Sequence, residues 1–265
     1  METRFIALLT DFGIKDFFVP SLKAVIAAIN PEARTIDITH EVPSFDIRSA
    51  GFILSSCCDF FPKSTVFLAV VDPGVASRRA ILLAETKKHF FIAPDNGLLT
   101  LPLKSREIAS LRKVTRNRFW LTAGTTTFEA RDRMAPVAAW LTNGLSPEEF
   151  GPEVKTYRRL EIREPVLRGG EIRAEILYVD KFGNLMTNIP QSSLRSLGPS
   201  RAKPALYLGE TRIDRLAASY AEVKDGRPFF LVNSQGLVEI AVREGSAAAR
   251  LGAKPGDPVM LRRER

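Results

Sequence analysis

From the N-terminus to about residue 142, short runs of apolar residues alternate with stretches whose apolar positions recur every three or four residues. Residues 5–9 (FIALL) read as a buried strand. Phe18, Leu22, Val25 or Ile26, and Ile29 then line one face of a helix that Asn30-Pro31 ends. A second strand is predicted over 35–38. Ser44 or Asp46 can cap a helix from Ile47 to about Phe60, which Pro62 stops. Strands follow at 66–71, 80–84 and 89–92, and 128–141 reads as a helix that Pro136 must kink or restart. Such alternation predicts an α/β domain, a mostly parallel sheet layered with helices.

Around residues 143–170 the pattern breaks at Asn-Gly, Ser-Pro, Gly-Pro and Gly-Gly pairs. Beyond it, short strands are predicted at 172–179, 186–189, 205–208, 229–232, 237–242 and 258–261. Two short helices interrupt them, at 192–197 and 246–251. This shift predicts a smaller, β-barrel-like or sandwich domain, giving two domains over 1–160 and 170–265. No internal repeat or low-complexity segment is visible.

Composition narrows the class. With 265 residues, 45% hydrophobic and 26% charged, the chain has enough apolar material for ordinary cores, which excludes disorder, collagen-like repeats and coiled coil. The net charge of +8 lies mostly beyond residue 150, but its Lys and Arg are scattered among acids, as on a solvated surface rather than a nucleic-acid face. Cys57 and Cys58 are adjacent and lack zinc spacing, which fits a reducing cytoplasm. The FIALL run is stopped by Thr10-Asp11, too short for a signal-peptide core, and no apolar stretch approaches ~18 residues, so a soluble, unexported protein without a membrane partner is expected.

Candidate chemistry lies at strand ends. Asp11, Asp72, Asp95 and Asp180 each stand at the carboxyl end of a predicted strand. In an open α/β sheet ligands bind outside the strand carboxyl ends, so the first three point to one region. Each also has a plain reading as a turn or cap residue, Asp95-Asn96-Gly97 especially. No GxGxxG follows the first strand, and GxxxxGK[ST], GxSxG and HExxH are missing, which disfavours dehydrogenases, P-loop NTPases and serine hydrolases. Carboxylates alone leave a Mg²⁺-dependent phosphohydrolase open. His40 and His89 are too few and too far apart for a histidine metal site, and His89, opening a strand, reads as packing or surface.

Seven blocks, in order and spanning nearly the whole chain, carry a resemblance: LLTDFG (8–13), DITHEVPSFDIRSA (37–50), FPKSTVFLAVVDPGV (61–75), APDNGLLT (93–100), TFEARDRMAP (127–136), DKFGNLMTNI (180–189) and NSQGLVEIAV (233–242). Together they resemble the S-adenosyl-L-methionine (SAM) hydroxide adenosyltransferases, the SAM hydrolases related to the fluorinase and chlorinase.

The resemblance implies attack of water or hydroxide on the ribose 5′-carbon of SAM, giving adenosine and methionine with no cofactor or metal. It implies a catalytic trio of Asp, Arg and His. Asp72 and Arg79 match the first two, but Glu129 stands where His is usual and Ala130 where Gly is usual. A Glu can accept a proton, yet its charge disfavours hydroxide nearby. By the same resemblance Asp11 holds the ribose hydroxyls and Phe45 flanks the substrate, with core packing the other reading of Phe45. Asp180 and Asn184 bind the amino-acid moiety, Asn184 also having a turn reading. Ser234, Glu239 and the Val242 backbone lie near methionine and adenine. Relatives form trimers with the site between subunits, so a homotrimer is expected by resemblance. A SAM- or adenosine-binding protein with little turnover is the alternative that Glu129 raises. Use of chloride is disfavoured because Asp72 and Arg79 are the water-using pair.

Overall fold

The FIALLT run forms strand β1 (Phe5–Thr10), buried from its second residue onward because it lies in the middle of a sheet covered on both faces. The computed structural model describes residues 5–124, 126–197 and 203–264, and the chain divides into two compact units, Met1–Leu160 and Glu161–Arg265.

In the first unit β1 leads to α1 (Phe18–Ile29), β2 (Arg34–Thr39), α2 (Ile47–Cys57), β3 (Val66–Val70), β4 (Ile81–Thr86), β5 (Phe90–Pro94), α3 (Thr100–Leu103), β6 (Ile108–Lys113) and α4 (Ala135–Thr142). The sheet order is β2-β1-β3-β5-β4-β6. β1 runs parallel to β2 and β3, and β3 parallel to β5, whereas β4 is antiparallel to both β5 and β6. The carboxyl ends of β1, β3 and β5 therefore share one edge. Alternate residues feed two cores. Ile6, Leu8, Leu68 and Ile92 pack with Leu22 and Ile26 of α1 and Val137 and Ala138 of α4. Ala7, Leu9, Phe67 and Phe91 pack with Ala50 and Leu54 of α2. At about 1.5–3 kcal/mol per fully buried large side chain, these layers fix the strand ends that carry the site.

Of the two caps offered for α2, Asp46 serves: its carboxylate accepts the Ser49 N–H at 3.0 Å. That helix ends at Cys57, and a 3₁₀ turn (Cys58–Phe60) completes the stretch predicted as helix. The segment predicted as one helix over 128–141 is instead a π turn (Ala130–Met134) followed by α4, with Pro136 in its first turn, where a missing N–H costs nothing. Strand β6 and the four-residue α3 escaped prediction, β6 because it is a sheet-edge strand of mixed burial.

The second unit contains β7 (Val166–Arg168), β8 (Glu171–Val179), β9 (Leu185–Pro190), α5 (Gln191–Ser196), β10 (Lys203–Leu208), β11 (Thr211–Ile213), β12 (Phe229–Val232), β13 (Leu237–Ala241), α6 (Ala247–Leu251) and β14 (Pro258–Glu264). Its antiparallel sheet runs β11-β10-β14-β8-β9-β13-β12, with β7 on β8. The chain just past β11 then meets the far edge. Phe230 of β12 donates its N–H to Arg215 O and accepts from Ala217 N–H, both at 2.9 Å. The sheet so becomes a nearly closed barrel filled by Ile172, Ile176, Leu206, Phe230, Ile240 and Leu261. Among the described residues no helix is long and apolar enough to cross a membrane.

Candidate active site

Asp72 leaves the carboxyl end of β3 into the loop Pro73-Gly74-Val75-Ala76-Ser77-Arg78, which returns to Arg79 just before β4. The loop folds on its own hydrogen bonds: Gly74 N–H donates to Asp72 Oδ1 at 3.2 Å, Ser77 N–H to Gly74 O at 3.1 Å, and Arg79 N–H to Ser77 Oγ at 3.3 Å. Ala76 adopts φ +61°, a left-handed conformation unfavourable for a residue with a Cβ. Its N–H points at Glu129 Oε2, 3.4 Å away.

The geometry turns the Arg79 guanidinium back onto Asp72. One nitrogen, Nη2, bridges Asp72 Oδ2 and Glu129 Oε2. All three side chains are more than nine-tenths buried, so the charges are screened little by water. The other Glu129 oxygen, Oε1, is held by Arg133 Nη1, one π turn further on. Arg133 is itself clamped, its Nη2 donating to Gly124 O at 2.9 Å and its Cζ lying 4.4 Å from the Trp120 ring centroid. The four side chains form a linear, electrically neutral array, Asp72–Arg79–Glu129–Arg133. Nε and Nη1 of Arg79 are buried without a partner among the described residues, and such donors call for a ligand or water.

Asp11 ends β1, on the same sheet edge as Asp72. Its Oδ2 accepts the Phe45 N–H at 2.9 Å. Phe45 has φ +69° and a side chain 68% exposed, which is not a core position. Beneath Asp11, Thr10 Oγ1 lies 2.8 Å from His40 Nδ1. His40 Nε2 lies 3.2 Å from Asp37, whose other oxygen takes Lys23 Nζ at 2.6 Å. Burial alone would raise the Asp37 carboxyl, but Lys23 and His40 outweigh it and hold it below the usual carboxylate range. This chain ties the end of β1 to β2 and α1. Asp95 shares the edge, but its Oδ1 accepts the Arg158 N–H at 2.7 Å, the turn-and-anchor role. Its neighbour Asn96 donates to Val71 O at 2.8 Å and braces the backbone just before Asp72.

In the second unit Asp180 organises the turn between β8 and β9. Oδ1 accepts N–H groups from Phe182 (2.9 Å) and Asn184 (2.8 Å), and Oδ2 accepts the Asn184 amide at 2.9 Å. Gly183 at φ +83° lies so close to Ser246 that a Cβ would sit 2.9 Å from its Cα. Asp180, Asn184 and Val242 line a cavity of about 760 Å³ together with Phe182, Tyr220 and Ser246. The Val242 carbonyl accepts the Gly245 N–H at 3.2 Å. Asp180 and Tyr220 also border a second cavity, of about 380 Å³, lined by Ser234, Asn233 and Glu239. Burial raises the Glu239 carboxyl above its ordinary range, although the Tyr220 hydroxyl and the Asn233 amide both donate to it. Burial and that same carboxylate raise the Tyr220 phenol. Among the described residues no three His, Cys, Asp or Glu side chains converge as a metal-binding group.

Comparison with known proteins assigns this architecture. Residues 6–151 match the model of the SAM hydroxide adenosyltransferase N-terminal domain and residues 174–260 that of the C-terminal domain. The chain belongs to the SAM hydroxide adenosyltransferase family. A Thermus thermophilus protein named (R)-S-adenosyl-L-methionine hydrolase is 36% identical, over 97% of this chain and 99% of its own length. A crystal structure of an uncharacterized conserved protein from Thermotoga maritima superposes with a TM-score of 0.91 at 37% identity, covering 97% of this chain and all of that one. Fluorinases are more distant, one from Actinoplanes sp. (strain N902-109) being 24% identical over 95% of each chain.

Within this family fold the expected residues Asp72, Arg79 and Glu129 come together, Asp11 and Phe45 meet at the neighbouring strand end, and Asp180, Asn184, Ser234, Glu239 and Val242 border the two cavities of the barrel unit. Sequence reasoning missed Arg133, Asn96, Asn233 and Tyr220. The Glu129/Arg133 spacing of four was a readable signal for an ion pair on a helix. Asn96 and Asn233 lay inside the APDNGLLT and NSQGLVEIAV blocks, whereas Tyr220 lay in none of them and its partner Glu239 is 19 residues away.

Proposed function

We propose that this chain hydrolyses SAM to adenosine and L-methionine; its Thermus thermophilus relative is named an (R)-S-adenosyl-L-methionine hydrolase. The observation that carries the reading is the buried Asp72–Arg79 pair, with two unpartnered Arg79 donors at a strand carboxyl end, in a chain that matches the family through both of its halves. The oxygen of water or hydroxide bonds to C5′, the C5′–S bond breaks, and its electron pair returns to sulfur. Methionine thus leaves as a neutral thioether, and the proton of the attacking water passes to a basic group or solvent. A neutral leaving group needs no general acid, so in-line positioning and stabilisation of the nucleophile are what remains for the protein. Arg79 favours the hydroxide form through Nε and Nη1, and Asp72 orients both the guanidinium and the water. Asp11 takes the ribose diol and Phe45 flanks the substrate.

By this reading the first unit carries the nucleophile and ribose site. The second contributes Asp180 and Asn184 for the amino-acid moiety, with Ser234, Glu239 and the Val242 backbone near methionine and adenine. No cofactor or metal takes part. A homotrimer with the site between subunits fits the large apolar side chains left open between β1 and α1: Ile14 is 78% exposed and Phe17 63%. The unpaired Cys57 and Cys58 fit a cytoplasmic enzyme.

Incubation of EDTA-treated protein with SAM, followed by chromatography, tests the proposal. Adenosine in excess of the protein-free control is the expected result, and its absence overturns the reading. Tight SAM binding by calorimetry with no product after long incubation would establish a binding protein instead.

A further inference from the structure

The Glu129 position is where this chain departs from the Asp, Arg and His set that the resemblance implies, and its surroundings show how the departure is accommodated. Both Glu129 oxygens are occupied, Oε2 by Arg79 and the Ala76 N–H, Oε1 by Arg133. A carboxylate engaged at both oxygens by two guanidinium groups is committed to those partners rather than to a water. It is buried, with 4% of its surface exposed, and without Arg133 it would leave Asp72, Arg79 and Glu129 with one net negative charge. That charge opposes hydroxide formation and draws Arg79 away from Asp72.

We infer that Arg133 is a positioning residue for the hydrolytic site. By neutralising and anchoring Glu129 it keeps the Arg79 guanidinium between two fixed carboxylates, with Nε and Nη1 turned to the nucleophile. Arg133 suits this task because it is held at three points: Glu129, the Gly124 carbonyl and the face of Trp120. A lysine would supply the charge without the planar fork or the stacking surface. Glu129 and Arg133 thus act as one neutral unit in place of a neutral imidazole. The inference rests on the SAM-hydrolase reading above.

A double-mutant cycle on adenosine formation tests it. In the native Glu129 background Arg133→Leu should lower kcat about 10–100-fold, the effect of one uncompensated charge close to the nucleophile at an effective dielectric constant near 20. KM for SAM should stay within about threefold, because Arg133 touches none of the residues read as ribose or methionine contacts. Arg133→Lys should recover most of the loss. In the Glu129→His background, where no buried carboxylate needs a partner, Arg133→Leu should change kcat by less than about threefold. If Arg133→Leu fails to fold, Arg133→Gln, which retains a donor for Gly124 but not the charge, replaces it in both backgrounds. An equal loss in both backgrounds, or none in the first, overturns the inference while the activity stands. Absence of turnover from all four chains of the cycle overturns the activity and this inference with it.

Discussion

Replacing Arg79 with methionine removes the guanidinium that bridges Asp72 and Glu129 while keeping most of the buried apolar stem. Both carboxylates contact the same nitrogen, so without it two like charges are left adjacent in a buried site. At an effective dielectric constant near 20, two unit charges about 4–5 Å apart repel by about 3–4 kcal/mol. Arg133 still holds Glu129 and offsets part of it, whereas the lost Arg79–Asp72 pair adds to it. The expected net destabilisation is about 2–4 kcal/mol at pH 8. Urea unfolding of both proteins at pH 8 measures it. In parallel, adenosine formation should fall about 10²–10³-fold, as for loss of one preorganised donor, with SAM affinity nearly unchanged. A deficit below about 1 kcal/mol at pH 8 would refute the account of Arg79 as the bridge of a buried charge array.

Asp72→Ala should lower kcat and also raise KM for SAM in steady-state assays, because that carboxylate faces both ribose and water in the proposed site; a pure kcat effect would remove it from the ribose contacts. His89 packs edge-on against Phe67 and beside Phe91, with both ring nitrogens buried and unpartnered among the described residues, and burial pulls its pKa down to about 4 from 6.5. The unfolded chain therefore binds this proton first, and stability that is complete above pH 6.5 falls as the pH drops towards 4. His89→Leu should flatten the loss between pH 7.5 and 4.5 by about 2–3 kcal/mol in urea titrations, and an unchanged slope would show that His89 is not the group responsible. Gly183→Ala combines a left-handed φ with a collision against the Ser246 backbone, so it should destabilise the barrel unit by roughly 2–4 kcal/mol and weaken SAM binding by calorimetry. A variant with native melting and native affinity would show that the Asp180–Asn184 turn relaxes freely.

The chain by itself determined the elements and the positions of the chemistry-bearing residues along them. A buried strand needs an unbroken apolar run, and a carboxylate directly after such a run stands at the strand's end, so Asp11, Asp72 and Asp180 were legible from local pattern alone. The change from mixed elements to short strands likewise marked the barrel, because period-two runs punctuated by turns cannot build a helical layer. Only the tertiary structure decided which ends meet. The parallel pairing of β1 with β3 brings Asp11 to the edge that carries Asp72, while Asp95, on the same edge, is drawn to the Arg158 backbone 63 residues away. Closure of the barrel depends on Arg215–Ala217, a segment of little strand character in its own sequence, pairing with β12. The neutral array at Arg79 joins loop and π turn across 50 residues. A charge pair of that separation leaves no periodicity in the sequence, since its energy depends on distance and burial, and both exist only once the sheet and α4 have packed.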